Sequence, residues 1–132
     1  ETLKRLQQLG YKLIVLTNQS GVARGFVSEE TLQEIHQKLW RALESKGVVL
    51  DALYYCPHHP DEHCACRKPQ PGMLLLAAKD HQIDVSRSWM IGDSDADAGL
   101  AQATNCRFIR VTADQNFSEV VEQRWNELVQ VR

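Results

Sequence analysis

Thirteen residues, Cys56-Pro-His-His-Pro-Asp-Glu-His-Cys-Ala-Cys-Arg-Lys68, constrain this chain more than any other stretch. They hold three of its four cysteines and three of its five histidines, and they end in two adjacent cations. Thiolates and imidazoles packed this closely suit a tetrahedral zinc ion, and Cys56, His58, Cys64 and Cys66 form the most economical ligand set. His59 is the second choice for the imidazole, because one neutral histidine differs little from its neighbour as a donor. A disulfide is the alternative. A Cys-x-Cys pair closes a small strained ring, however, and no secretory signal points to an oxidising compartment. Four protein ligands make a closed site, so the metal is expected to be structural and to order a loop that has too few apolar residues to order itself. That loop would fix the position of Arg67 and Lys68.

The 132 residues are enough for one domain with a real core. A chain that is 43% hydrophobic and 24% charged has the composition of a soluble globular protein. Its net charge of -2 gives no basic surface for nucleic acid or an acidic membrane, so a small-molecule partner is expected and a monomer is favoured. No apolar run approaches the length of a bilayer span, and a cytoplasmic location is the default expectation.

Along the chain, leucines at 3, 6 and 9 before Gly10 predict an opening helix over 2–9. Lys12 to Leu16 is a continuous apolar run of the kind buried on both faces of a parallel sheet, and it ends in Thr17-Asn-Gln-Ser-Gly21. Ser28 predicts a helix cap, followed by an apolar stripe of Leu32, Ile35, Leu39, Trp40 and Leu43, with His36 packed on the same face. Strands are predicted over 48–55, 88–91 and 107–112, with helices from Gly72 to about Asp80, from Ala98 to Ala103, and around Val121, Trp125 and Leu128. Cys106, beside the last strand, reads as a buried thiol.

Strands alternating with helices give an α/β fold with a mostly parallel sheet, whose ligand sites lie at the carboxyl ends of the strands. Three polar clusters fall at or just beyond such ends. The Thr17 hydroxyl, the Asn18 amide and a Gly-flanked turn together offer donors for an oxyanion. Arg67 and Lys68 offer a forked cation and a point charge. Asp93 offers a hard oxygen for magnesium, with Asp95 and Asp97 better read as caps of the following helix. Donors, cations and a metal-binding carboxylate in one crevice describe a phosphoryl-binding site.

The order strand-Thr-Asn, then Lys, then strand-Gly-Asp-x-x-x-Asp resembles motifs two to four of the haloacid dehalogenase (HAD) superfamily of phosphohydrolases. The segments Thr17-Asn-Gln-Ser-Gly-Val-Ala-Arg-Gly25, Tyr54-Tyr-Cys-Pro-His-His-Pro60, Cys64-x-Cys-Arg-Lys-Pro69 and Pro71-Gly-Met-Leu74 are similar to the heptose bisphosphate phosphatases within it. The histidinol-phosphate phosphatases share the Cys-Pro-His and Cys-x-Cys-Arg-Lys-Pro patterns. The resemblance implies a three-layer, Rossmann-type HAD-like fold and magnesium-dependent hydrolysis of a sugar phosphate. It implies that Thr17 and Lys68 stabilise the transferring phosphoryl group, that Arg67 recognises substrate, and that Asp93 binds magnesium. Asn18, Gln19 and Ser20 would line the substrate pocket, together with Ser94, which stands where the heptose enzymes are expected to carry a lysine.

The same resemblance implies an Asp-x-Asp-Gly-Thr motif after a first, central strand, supplying the nucleophile and the general acid and base. No such motif occurs in residues 1–132, so the expectation is a single HAD-like domain over 1–132 that begins at the helix after that strand and is inactive alone. Without it, the strands ending at Thr17 and Asp93 would carry unpaired inner edges. The rival expectation is a non-catalytic binding or scaffold relative that keeps the zinc loop. A nucleic-acid-binding zinc module is disfavoured by the acidic balance and the cysteine spacing.

Overall fold

Two parallel ladders, rather than one continuous sheet, organise the computed structural model, which describes residues 1–130 and only the backbone at Pro60. Strand β1 (Ile14–Asn18) pairs with β2 (Ala52–Cys56), with Ile14 opposite Ala52 and Asn18 opposite Cys56. Strand β3 (Trp89–Gly92) pairs with β4 (Arg107–Arg110), with Trp89 opposite Arg107 and Gly92 opposite Arg110. The inner strands β1 and β3 share no ladder. Between them runs a cleft of about 630 Å³, lined by Ile14–Thr17 on one side and by Trp89–Asp93 on the other. The sheet is therefore divided at the position where the resemblance places a central strand.

The helices are α1 (Thr2–Gln8), α2 (Glu29–Ser45), α3 (Gly72–His81), α4 (Asp95–Thr104), α5 (Phe117–Glu122) and α6 (Trp125–Gln130). Helix α3 packs on the β1–β2 pair and α4 on the β3–β4 pair, giving each ladder its own apolar cover. Leu6, Ile109, Val121 and Leu128 form one buried cluster that ties α1, β4, α5 and α6 together. The Tyr11 hydroxyl donates to the Leu128 carbonyl at 2.7 Å and anchors the C-terminal region to the segment entering β1.

The expected element order is present, with four local corrections. The first strand runs Ile14–Asn18 instead of 12–16, so Thr17 and Asn18 are paired within it, opposite Tyr55 and Cys56. The strand predicted from Val48 begins only at Ala52, because the Gln7 side-chain amide both donates to the Val49 carbonyl and accepts from its N–H, taking the place of a strand neighbour. The C-terminal helix is two short helices, with Gln123 and Arg124 between them. The apolar stripe on α2 is only partly covered. Leu32 and His36 are buried and the His36 ring tilts against Tyr55 with centroids 5.2 Å apart, whereas Ile35 (51%), Leu39 (38%) and Trp40 (39%) stay exposed. Ser28 does cap α2, accepting from the Thr31 N–H at 3.1 Å. Cys106 is buried, and burial pushes its thiol up to about 11.

Candidate functional site

Cys56 closes β2, and the chain then folds back over a one-turn 3-10 helix, Pro60–Glu62, to return Cys64 and Cys66 to the same place. The ligand atoms of Cys56, His58, Cys64 and Cys66 all lie within 4.8 Å of one another. His58 Nδ1 is 3.4 Å from the Cys56 sulfur and 3.1 Å from that of Cys66, and the Cys64 sulfur is 3.4 Å from Cys56 and 3.5 Å from Cys66. Bonds of about 2.0–2.3 Å to a tetrahedral zinc separate its ligands by roughly 3.3–3.8 Å, so three of these four spacings fit that ion and the His58–Cys66 one is slightly short of it. The Cys56 and Cys66 sulfurs lie in disulfide contact, while Cys64 is free. A disulfide uses two sulfurs and leaves unexplained why Cys64 and an imidazole nitrogen point at the same spot; a four-ligand metal explains all four. His59 is turned away, its Nδ1 accepting from the Asp61 N–H at 3.1 Å as the cap of the 3-10 turn.

The loop is seated on the start of α3 by backbone contact. Gly72 N–H donates to the Ala65 carbonyl at 2.8 Å, and a Cβ on Gly72 would stand 2.4 Å from that oxygen, so only glycine permits the approach. This seating carries Lys68 to the cleft and Arg67 to the segment just before it. One guanidinium nitrogen of Arg67, Nη1, is buried without a hydrogen-bond partner, and the side chain borders a second hollow of about 260 Å³ shared with His63, Lys68 and Gln70. A buried donor lacking a partner is costly, and an anion bound there would satisfy it.

Lys68 is held from three directions. Its backbone N–H donates to Asn18 Oδ1 at 3.0 Å, and its carbonyl accepts from Asn18 Nδ2 at 3.4 Å. Its ammonium donates to the Leu16 carbonyl of β1 at 3.1 Å and to Asp97 Oδ1 at 2.7 Å, the second bond joining the loop before α3 to α4 across the cleft. Burial works against the Asp97 charge, but hydrogen bonds from Lys68 and Ser94 and the Lys68 charge outweigh it and hold the carboxyl below its ordinary value. Asp97 also completes the α4 cap, since Ser94 Oγ accepts from the Asp97 N–H at 3.1 Å and donates to its Oδ2 at 2.9 Å. A Cβ on Gly92 would lie 2.3 Å from that Oδ2, so glycine before Asp93 makes room for the buried carboxylate.

Thr17, Lys68, Asp93 and Asp97 all line the one cleft. The Thr17 hydroxyl accepts from Gln19 Nε2 at 3.0 Å. The Asp93 carboxylate is exposed and, among the described residues, carries no hydrogen bond, which leaves its oxygens free for a hard cation. Asp95 is turned to Arg110 and Asp97 to Lys68, so Asp93 is the one carboxylate of these three without a protein partner among the described residues. The structure therefore brings together Thr17, Lys68 and Asp93. It turns Asn18 onto the Lys68 backbone and commits the Ser94 hydroxyl to the α4 cap. The sequence reading missed the Lys68–Asp97 pair, although the Gly-Asp-x-x-x-Asp spacing that places Asp97 one helical turn past Asp93 was the signal for it.

Thr17 near the end of β1, Lys68 from the loop before α3 and Asp93 just after β3 thus meet at one cleft of a parallel α/β fold, the arrangement of a HAD-like phosphoryl-binding site. The HAD-hydrolase-like family model matches residues 65–127, and the chain belongs to that family. Among its relatives, the D-glycero-beta-D-manno-heptose-1,7-bisphosphate 7-phosphatase of Helicobacter pylori (strain ATCC 700392 / 26695) is 48% identical over 76% of this chain and 60% of its own length. The enzyme of the same name from Photorhabdus laumondii is 46% identical over 76% of this chain and 57% of its own. The crystal structure of the D,D-heptose 1,7-bisphosphate phosphatase of B. bronchiseptica, complexed with magnesium and phosphate, superposes with a TM-score of 0.84 at 34% identity, over 96% of this chain and 80% of that one. The chain thus spans about 60% of the length of the curated relatives it matches. No helix among the described residues is long and apolar enough to cross a membrane.

Proposed function

We propose that this chain carries the phosphoryl-binding and metal-binding half of a magnesium-dependent phosphomonoester hydrolase acting on a heptose 1,7-bisphosphate. The observation that supports it most is the convergence of Thr17, Lys68 and Asp93 on the one cleft between β1 and β3. In this reading Thr17 donates its hydroxyl to a phosphoryl oxygen, and Lys68, immobilised by Asp97 and Asn18, faces the charge that develops as the phosphoryl group transfers. Arg67 binds substrate through the guanidinium nitrogen that has no protein partner, and Gln19 orients the Thr17 hydroxyl. Magnesium, held in part by Asp93, would neutralise phosphoryl charge when bound. Cys56, His58, Cys64 and Cys66 hold a structural zinc that sets the Arg67–Lys68 segment on α3. Asn18 acts by positioning Lys68, while Ser20 and the Ser94 backbone border the substrate.

The nucleophile belongs to an acidic strand end that residues 1–132 do not contain, and the cleft between β1 and β3 has the place for it. The expected substrate is a sugar phosphate, and the names of the relatives point to the heptose bisphosphate. The test is a substrate screen of the full-length protein with magnesium, comparing heptose 1,7-bisphosphate, histidinol phosphate and simple sugar phosphates. Preferential release of phosphate from heptose bisphosphate, abolished by Asp93→Asn, is expected. Preference for histidinol phosphate would overturn the substrate, and the absence of any phosphatase activity in the full-length protein would favour a non-catalytic relative.

A further inference from the structure

Asp93 follows the last residue of β3 and precedes the cap of α4, so its backbone belongs to neither element. Its orientation depends on what holds the turn. On the α4 side, the Ser94–Asp97 capping box fixes the chain. On the other side the end of β4 does so. Arg110 ends β4 opposite Gly92, and the Val111 N–H extends that ladder by donating to the Gly92 carbonyl at 3.0 Å. From there Arg110 reaches past the strand end: Nη1 donates to the Asp93 carbonyl at 3.1 Å and Nη2 to Asp95 Oδ1 at 3.0 Å. Its guanidinium carbon lies 5.7 Å from the Phe108 ring centre, which supports the side chain from beneath. One planar fork thus grips the chain at two points just after the Asp93 side chain, its carbonyl and the Asp95 carboxylate, a geometry that a lysine point charge cannot reproduce.

We infer that Arg110 is a positioning residue for the magnesium site, acting through Asp93 without touching the ion. The inference rests on the reading of Asp93 as a magnesium ligand. The Arg110–Asp95 ion pair is exposed, its carboxylate fully so, and by itself it contributes little to folding. Its effect is instead on the Asp93 turn: with the carbonyl of Asp93 released, the Asp93–Ser94 peptide is held less firmly, the backbone at the Cα that bears the carboxylate can turn, and metal binding must then order it. Groups that orient metal ligands typically change affinity by about 10- to 100-fold when removed.

Charge alone makes the opposite forecast, and this separates the two effects. Arg110 is a cation near a cation site, so its removal should tighten metal binding if electrostatics governs. If positioning governs, removal should weaken it. The experiment measures manganese and magnesium affinity of the full-length protein by titration calorimetry and manganese electron paramagnetic resonance, with melting temperature alongside. Arg110→Ala is expected to weaken binding by about tenfold. Arg110→Lys, which keeps the charge and the stem over Phe108, is expected to weaken it in the same direction and so gives the answer even if the alanine variant folds poorly. Unchanged or tighter binding in Arg110→Lys overturns the proposal, as does unchanged or tighter binding in a folded Arg110→Ala. If Asp93→Asn leaves affinity unaltered, the magnesium reading itself fails, and the role of Arg110 fails with it.

Discussion

Lys68 and Asp97 meet at 2.7 Å across the cleft, with side-chain exposures of only 14% and 9%, and they join the loop that follows the cysteine cluster to the helix that follows Asp93. Removing one partner strands the other in a poorly solvated place. Asp97→Ala is therefore expected to destabilise the fold by on the order of 3 kcal/mol, measurable by urea unfolding at neutral pH. Its effect should exceed that of Asp95→Ala, whose carboxylate is fully exposed.

The same pair sets an acid limb. Because the folded Asp97 carboxyl lies below its ordinary 3.8, the stability it contributes is present above the unfolded value and is lost as pH falls through the lower folded value. Urea midpoints measured from pH 6 down to pH 2 should fall in that acid window in the wild type, with a shallower fall in Asp97→Asn. Equal slopes in the two proteins would remove Asp97 as the cause.

In the full-length protein, Lys68→Ala is expected to lower turnover by about a hundredfold or more, since a fixed cation facing developing phosphoryl charge supplies several kcal/mol. Arg67→Ala is expected to act mainly on the Michaelis constant. Steady-state kinetics of both variants check this division, which fails if both lose turnover alike at unchanged Michaelis constant.

Metal analysis of purified protein is expected to find one zinc per chain, and chelation or Cys64→Ser should lower the melting temperature because metal binding is coupled to folding. The buried Cys106 thiol, raised to about 11, should resist alkylation at pH 8 while the chelated cluster cysteines react. Mass spectrometry of the alkylated peptides distinguishes them.

A peptide strand supplied to the cleft should act on stability and activity together. Residues 1–132 alone are expected to show no phosphatase turnover, because a hydroxyl and a cation cannot form the aspartyl-phosphate that divides hydrolysis into two easier steps. An apolar five-residue strand ending in Asp-x-Asp-Gly-Thr, fused or added in trans, would give the inner edges of β1 and β3 a partner. A rise in melting temperature and phosphate release are expected to accompany each other. Turnover by the isolated chain that Asp93→Asn abolishes would refute this.

The chain's own sequence determined its elements, because those depend on local periodicity and caps: the branched run before Thr17, Ser28 before its helix, and Pro71-Gly72 opening α3 can each be read without neighbours. The gathering of Cys56, His58, Cys64 and Cys66 was legible for the same reason, since ten residues of chain have little freedom to separate them. Only the tertiary structure decided how the side chains are shared among distant segments. Asn18 reads as a substrate residue in sequence, but the loop 50 residues later takes both ends of its amide, and Asp97, the helix cap that the sequence suggests, also takes Lys68 from across the cleft. The exposure of Ile35, Leu39 and Trp40 was likewise beyond the sequence, because a stripe shows which face of a helix is apolar and says nothing of what covers it. Contacts between residues far apart in the chain depend on how its elements pack, and no local pattern encodes that.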